Sequence, residues 1–155
     1  GPLLSLRGEV IGINTAIVSG AQGISFAIPI NRAKKTLNDL NTLGKIEVPF
    51  LGVRYVIVNE EIQKKYKLPF DYGAYIYSGD NQKAIIPGSP AEKAGLVEKD
   101  LILEADKQKI TLQNTLAQIV INKNSGQKII LKVWRNGTIF TVAAVLSSLP
   151  TNLPR

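Results

Sequence analysis

The interpretation of the whole chain begins with residues 88–104, which are Gly-Ser-Pro-Ala-Glu-Lys-Ala-Gly-Leu-Val-Glu-Lys-Asp-Leu-Ile-Leu-Glu. Ser89 and Pro90 are typical of a helix start, because serine caps the first turn and the missing N–H of proline costs nothing at the first helical position. Gly95 is placed to end this short helix. The run from Leu101 to Glu104 then predicts a strand.

The residues that follow predict a helix and then a hairpin. Thr111 is placed to cap a helix that runs to about Asn122. Residues 127–134 and 138–146 alternate around Asn136-Gly137. This dipeptide favours a two-residue hairpin turn, because both of its residues must adopt a positive φ.

The residues before the signature stretch predict further short elements. Leu51–Val58 and Ala74–Tyr77 are rich in β-branched and aromatic residues and predict strands. Glu60–Tyr66, between them, is typical of a helical turn. The residues from Ser147 onward include two prolines, and we expect this end of the chain to be loose.

The first 45 residues predict a hairpin and a helix. Glu9–Val18 and Ile24–Ile28 are expected to form the two strands of the hairpin. A helix is expected over residues 31–43, with Asn31 as its cap and Gly44 at its end. One face of this helix carries the apolar residues Ala33, Leu37, Leu40 and Leu43.

Residues 88–104 resemble the PDZ domain signature GSPAxxAGLxxGDxIL, and the resemblance covers about residues 48–147. Lys99 stands where that family usually has glycine, and Asp106-Lys107-Gln108-Lys109 stands where it more often has an Asn-Gly turn. Residues 1–15 are similar to the segment that follows the nucleophile motif Gly-Asn-Ser-Gly-Gly-Pro-Leu in HtrA-type serine proteases, which implies a start two residues past the catalytic serine.

The resemblance implies a mainly β fold with short helices, of the α+β class. Its centre is a PDZ-type, partly open β-barrel or sandwich capped by two helices. A β-hairpin and a linker helix from a trypsin-like barrel precede it. We therefore expect a protease-domain remnant with its linker helix over residues 1–45, a PDZ domain over residues 46–148 and a flexible tail over residues 149–155.

The same resemblance implies the binding residues. Phe50, Leu51, Gly52 and Val53 resemble the carboxylate-binding loop, and the adjoining residues Arg54, Tyr55 and Val56 are expected to offer main-chain hydrogen bonds to a peptide. On the helix side, Leu116 lies four residues from both Leu112 and Val120, so each pair shares a face. The sequence leaves open which of these faces meets the ligand and which meets the core. Ser25, Phe26 and Ala27 resemble the segment that shapes the specificity pocket of the protease.

Composition excludes several classes of site. The chain has no histidine and no cysteine, which excludes disulfides, zinc sites built on these residues and an unaided Ser-His-Asp triad, so we expect no cofactor and no metal. The net charge is +7, but the lysines are dispersed and give no clustered phosphate-binding patch, so we expect no nucleic acid. No apolar run approaches the roughly 20 residues of a membrane helix.

These observations lead to one main interpretation and two alternatives. The main one is the peptide-binding PDZ module of an extracytoplasmic HtrA-type endopeptidase in protein quality control. Its partners would be peptides or unfolded proteins with apolar C-termini. The alternatives are a stand-alone PDZ adaptor and a basic nucleic-acid binder. The strands of residues 3–28 would expose apolar surface on their own. We therefore expect them to bind the missing protease half, to pack on the PDZ domain, to be mobile or to self-associate.

Overall fold

The computed structural model describes residues 1–17, 25–79 and 82–150. The chain divides into two compact units, with the boundary between residues 47 and 48. The elements of the first unit are Pro2–Leu4 (β1), Val10–Ile17 (β2), Ser25–Pro29 (β3) and Ile30–Leu43 (α1). The strands form an antiparallel sheet in the order β1-β2-β3. The predicted hairpin corresponds to β2 and β3, and β1 is an additional strand on the other edge of β2. The hairpin turn, expected at residues 19–23, lies outside the described residues.

Helix α1 begins one residue earlier than the sequence predicts. It starts directly after Pro29, so Asn31 lies inside the first turn, and no side chain caps the helix. The prediction of Asn31 as the cap is therefore wrong. Gly44 ends the helix as predicted, in the left-handed conformation with a φ of 68°.

The buried face of α1 is not the predicted one. Leu37 and Leu40 are exposed, whereas Asp39 is buried. The carboxylate of Asp39 accepts a hydrogen bond from Lys35 Nζ at 2.7 Å, one helical turn away. This pairing makes the burial of a charged group tolerable. Leu37 and Leu40 are left facing solvent.

The second unit consists of short strands and short helices. The strands are Pro49–Phe50 (β4), Tyr55–Ile57 (β5), Ala74–Ile76 (β6), Leu101–Ala105 (β7), Gln108–Lys109 (β8), Lys128–Arg135 (β9), Thr138–Val145 (β10) and Ser147–Ser148 (β11). The helices are Glu60–Tyr66 (α2), Pro90–Lys93 (α3) and Leu116–Ile121 (α4). The main sheet has the order β10-β9-β7-β6-β5 with β8 beside β7, and β4 pairs separately with β11. The sheet is open, with β5 at its edge, in the mainly β fold with short helices that the sequence predicted.

Three boundaries differ from the prediction. The predicted strand Leu51–Val58 is interrupted, because the chain turns at Gly52 between β4 and β5. Helix α4 is capped by Thr115, and Thr111 instead accepts a hydrogen bond from the N–H of Asn114 in the preceding bend. The end is not loose at Ser147, because β11 pairs with β4.

The main sheet is covered on both faces. Along β7, Ile102 packs into one hydrophobic cluster, while Leu101 and Leu103 pack into another. The first cluster includes Ile76, Ile110, Leu116, Ile129, Leu131 and Val133. The second includes Val58, Leu68 and Tyr75, with Tyr66 and Trp134 partly buried against it. Burial on both faces explains why Leu101, Ile102 and Leu103 are apolar in succession rather than alternating with polar residues.

Two hairpin turns place consecutive residues at positive φ. Asn136 and Gly137 have φ of 47° and 89°, which confirms the predicted turn between β9 and β10. Asp106 and Lys107 form the turn between β7 and β8 without any glycine, at φ of 48° and 63°. The Asp106 carboxylate accepts the N–H of Ile130 at 2.8 Å and pairs with a lysine on the neighbouring segment. These tertiary contacts offset the strain of the glycine-free turn.

The same contacts alter the acidity of Asp106. Burial alone would raise the pKa of its carboxyl group, but the hydrogen bonds from Lys123 and from the Ile130 backbone together lower that pKa below its ordinary value. The carboxylate therefore stays charged and paired with Lys123, and it holds the turn against β9.

A buried ion pair ties the signature stretch to β9. Asp100 is fully buried, and its two carboxylate oxygens accept Arg135 Nε at 2.6 Å and Nη2 at 2.7 Å. The carboxylate also accepts the N–H of Val97 at 2.9 Å, and Arg135 donates to the carbonyl of Gly95 at 2.8 Å. The bidentate geometry and the extra hydrogen bonds satisfy the buried carboxylate of Asp100, while the Arg135 side chain stays partly exposed.

We predict that Arg135→Ala lowers the free energy of unfolding by roughly 3 kcal/mol, because it leaves the buried carboxylate of Asp100 without its counter-charge. Urea unfolding followed by circular dichroism measures the loss. Lys128→Ala, at an exposed position of the same strand, is the control and should change stability by less than roughly 0.5 kcal/mol. Equal stabilities for the two variants would contradict this role of the pair.

Candidate functional site

An apolar groove lies in the second unit between the edge strand β5 and helix α4. Its volume is about 240 Å³. Residues 48–53 and Tyr55 line one side, and Leu116, Ala117, Val120 and Ile121 line the other. The groove thus combines a hydrophobic lining, a strand edge and a tight loop in one place.

The loop at one end of the groove directs two N–H groups outward. The carbonyl of Leu51 accepts the N–H of Ala91 at 2.9 Å, and the carbonyl of Gly52 accepts the N–H of Ile86 at 3.0 Å. In a trans peptide, the C=O of one residue and the N–H of the next point in opposite directions. The N–H groups of Gly52 and Val53 therefore point away from these partners. Successive N–H groups arranged in this way form an anion-binding nest.

The edge of β5 provides further hydrogen-bonding groups. The Arg54 backbone is occupied on the other side, since its N–H donates to Ala84 at 2.7 Å and its carbonyl accepts the N–H of Tyr77 at 3.2 Å. Backbone groups in an antiparallel ladder alternate in direction. Those of Val53, Tyr55 and Ile57 consequently point to the free edge of β5. This edge can accept an added strand.

Helix α4 begins with a capping box in which Thr115 and Gln118 each accept the backbone N–H of the other. Leu116 and Val120, the helix residues that the sequence singled out, belong to the core cluster and also line the groove. The side chains of Leu116 and Val120 thus pack into the core and line the groove at the same time. Leu112, the third residue considered, lies before the helix and is exposed.

Comparison with known proteins identifies this arrangement. The family model described as PDZ domain matches residues 49–146. The chain belongs to the PDZ domain family. In a PDZ domain the groove between an edge strand and a helix is the expected binding surface. All residues that line the apolar groove except Val48 lie within the matched region.

Curated relatives extend the similarity beyond the PDZ domain. The chain is 36% identical over 154 residues to a probable periplasmic serine endoprotease DegP-like of Chlamydia trachomatis, covering 97% of this chain and 30% of the relative. It is 38% identical over 138 residues to the putative serine protease HhoB of Synechocystis, covering 87% and 33%. The chain thus spans about a third of the length of these relatives.

Solved structures agree with the relatives. The HtrA-type protease AlgW with decapeptide has a TM-score of 0.71 and 31% sequence identity, covering 97% of this chain and 45% of that chain. AlgW with tripeptide gives the same TM-score and identity, with 97% and 49% covered. The resemblance to HtrA-type serine proteases, first seen in the residues, is confirmed.

Several residues expected at the site lie elsewhere. Arg54 points away from the groove and donates from Nη1 to the carbonyl of Lys83 at 2.9 Å. Val56 packs against the cluster on the opposite face of the sheet and pairs with Tyr75 in β6. Arg54 and Val56 therefore do not offer main-chain groups to the groove, which corrects the prediction. The reason is the alternation along β5, whose phase is set by pairing with β6.

The predicted specificity-pocket residues belong to the first unit of the chain. Ser25, Phe26 and Ala27 lie in β3, where they pair with β2, and all three are exposed. The described residues hold no group of three or more acidic, histidine or cysteine side chains that could bind a metal ion. Within the same ranges, no helix is long and apolar enough to cross a membrane.

The sequence interpretation missed four groove residues, which are Val48, Pro49, Ala117 and Ile121. Ala117 and Ile121 line the groove beside Leu116 and Val120, each one position further along the helix. The only sequence signal for Ala117 and Ile121 is that each follows a core position by one residue. Side chains next to the buried face of a helix lie at the edge of that face.

Gly52 is required at its position for two reasons. Its φ of 88° lies in the left-handed region that side chains rarely adopt. A Cβ atom added there would also lie 2.2 Å from the Cβ of Ser89 and 2.6 Å from its Oγ. Ser89 is itself buried and caps α3 through the N–H of Glu92, so it cannot move away freely.

We predict that Gly52→Ala lowers the free energy of unfolding by at least roughly 2 kcal/mol, from backbone strain and overpacking together. Gly126→Ala is the matched control, because Gly126 has a φ of 81° but nothing within 4 Å of an added Cβ. The difference between the two variants in thermal unfolding isolates the contact with Ser89. If both lose the same stability, the close approach does not constrain the loop.

Proposed function

We propose that the PDZ domain of this chain binds the free C-terminus of a peptide or unfolded protein whose last residue is apolar. One observation carries the proposal: the outward N–H groups of Gly52 and Val53 lie at the end of an apolar groove and beside a free strand edge. A carboxylate accepts hydrogen bonds from such donors, and an apolar side chain next to it would fill the groove.

The binding mode follows from the direction of β5. The ligand's carboxylate would lie at the loop before β5, and its chain would run back along β5 as an antiparallel strand. Val53, Tyr55 and Ile57 would then exchange main-chain hydrogen bonds with it. Phe50, Leu51, Leu116 and Val120 would contact the last side chain, since all four line the groove.

One of the two AlgW structures is with a decapeptide and the other with a tripeptide, which supports peptide recognition by a related protein. Since the groove has an apolar lining and two neutral donors, we expect modest affinity. A dissociation constant between about 1 mM and 1 μM corresponds to binding free energies of about −4 to −8 kcal/mol.

We predict that a peptide with an apolar last residue and a free carboxylate shifts the backbone amide NMR signals of Gly52, Val53 and Tyr55. The amidated form of the same peptide should leave these signals unchanged at equal concentration, because it lacks the charged acceptor. Equal shifts with both forms would show that the loop does not read the carboxylate. Absence of shifts with either form would overturn peptide binding by this groove.

We further propose that the whole protein is an extracytoplasmic serine endopeptidase acting in protein quality control, with Ser25, Phe26 and Ala27 beside its specificity pocket. The names of the relatives support a periplasmic or cell-envelope location. The chain itself has no histidine, so it does not supply the general base of a serine triad. Similarity over residues outside the PDZ domain weighs against a stand-alone adaptor. The gene upstream should encode a histidine, an aspartate and Gly-Asn-Ser-Gly if this proposal is right.

We also infer that the first unit needs further polypeptide to cover it. Its sheet exposes large apolar side chains, among them Leu4 at 54% and Phe26 at 59%. Exposed apolar strands pair readily with other chains. In the isolated 155-residue chain, a second copy is one such partner.

We predict that the 155-residue chain associates with itself, which light scattering after size-exclusion chromatography measures against the monomer mass of 16.9 kDa. Replacing Leu4 and Phe26 together by lysine should return it toward the monomer, because charges on both strands oppose pairing. Val145→Lys, at an exposed position of β10, is the control and should leave association unchanged. A clean monomer for the unaltered chain would exclude this inference.

A further inference from the structure

Tyr55 joins the two sides of the groove. Its hydroxyl oxygen accepts the backbone N–H of Ala117 at 3.0 Å, although the two residues are 62 positions apart in the chain. Tyr55 belongs to the edge strand β5, and Ala117 lies in the first turn of α4. The tyrosine side chain therefore spans the groove from strand to helix.

This contact also adds to the capping of the helix. The first N–H groups of a helix lack partners within the helix. Thr115 Oγ1 accepts the N–H of Gln118, and Tyr55 accepts that of Ala117. Moving the Tyr55 ring aside would leave the N–H of Ala117 without this partner, which costs free energy.

The tyrosine marks the end of the groove. Tyr55 lines the groove, whereas Ile57, two residues further along the same strand, does not. Ile121, about one helical turn beyond Ala117, and Val48, which precedes the loop, also line the groove. The apolar space is therefore bounded by the Tyr55 ring on the side away from the loop.

The position of Tyr55 relative to a ligand follows from strand pairing. If the carboxylate lies at the N–H groups of Gly52 and Val53, the last ligand residue lies opposite Val53. The residue two positions before it then lies opposite Tyr55, since both strands advance together. Residues directly opposite in an antiparallel pair have their side chains on the same face, with Cβ atoms about 4.5–5.5 Å apart. That ligand side chain must share space with the Tyr55 ring.

We propose that Tyr55 is a specificity-determining residue that selects ligands with a small side chain two positions before the C-terminal residue. This inference rests on the proposed binding of free C-termini. Glycine, alanine or serine fits beside the ring with its hydrogen bond to Ala117 intact. A large side chain requires the ring to move and the hydrogen bond to break, which lowers affinity about three- to tenfold.

The test uses two short peptides with the same apolar C-terminal residue and a free carboxylate. They differ only two positions before that residue, where one has alanine and the other leucine. Titration calorimetry on the 155-residue chain should give about three- to tenfold tighter binding of the alanine peptide. Without the tyrosine barrier, the larger apolar side chain would bury more surface and bind at least as tightly.

Variants assign the effect to Tyr55. Tyr55→Phe keeps the ring but removes the acceptor, so the preference for alanine should shrink and the amide of Ala117 should exchange with solvent faster. Tyr55→Ala removes the barrier and should abolish or reverse the preference. Tyr66→Phe, on the opposite face of the sheet, is the matched control and should change neither the preference nor the exchange rate. If Tyr55→Ala does not fold, the comparison of Tyr55→Phe with Tyr66→Phe still decides.

The outcomes separate this inference from the function on which it rests. Equal binding of the two peptides by the unaltered chain would overturn the role of Tyr55 while leaving recognition of C-termini in place. A preference for alanine that persists unchanged in Tyr55→Phe and Tyr55→Ala would also overturn it. Binding of neither peptide would overturn both.

Discussion

The carbonyl groups of Leu51 and Gly52 are held by the N–H groups of Ala91 and Ile86, and the geometry of the groove depends on these two hydrogen bonds. They turn the loop so that its next N–H groups face outward. They also explain why the loop and the signature stretch work as one unit. Ala91 lies in α3, and Ser89 at the start of that helix packs directly against Gly52. The capped helix is thus a support for the loop rather than a separate element.

Local chemistry was sufficient for most elements of the second unit. Ser89-Pro90 begins a helix and Asn136-Gly137 forms a hairpin turn, because each pair acts through its own backbone preferences. The start of α4 was mispredicted although a signal was present. Thr115 is followed three residues later by Gln118, which is the pattern of a capping box. Thr111 is followed three residues later by Asn114, which does not fit this pattern, because the capping box needs glutamate or glutamine there.

Other features could not be predicted because they depend on tertiary contacts. The turn at Asp106 and Lys107 contains no glycine, and the partners that stabilise it come from distant segments. In the first unit, the burial of Asp39 in place of Leu37 contradicts the apolar pattern of α1, and only the ion pair with Lys35 makes it possible. Sequence spacing gives the period of a helix face but not which neighbour covers it.

The groove residues show the same division between local and long-range information. The resemblance pointed to a loop and a strand that line the groove, but which residues of β5 face the groove depends on its pairing with β6. A change of one position exchanges the two faces of a strand. Arg54 and Val56 therefore turned out to bond within the sheet, while Val53 and Tyr55 face the groove. On the helix, Leu116 and Val120 were identified because a core position is visible in the sequence, whereas Ala117 is recognisable only from the groove itself.

The contacts that build the groove also fix its shape before any ligand arrives. The loop is held by α3, the helix start is fixed by the capping box, and Tyr55 connects the helix to the edge strand. Association loses less free energy when the binding surface is already ordered. A ligand therefore has to order only its own last residues. Under the selectivity proposed for Tyr55, the same rigidity would limit what the groove accepts, because a side chain that does not fit would have to break the hydrogen bond to Ala117. In the proposed mode of binding, affinity and selectivity thus have a common origin in the hydrogen bonds that precede binding.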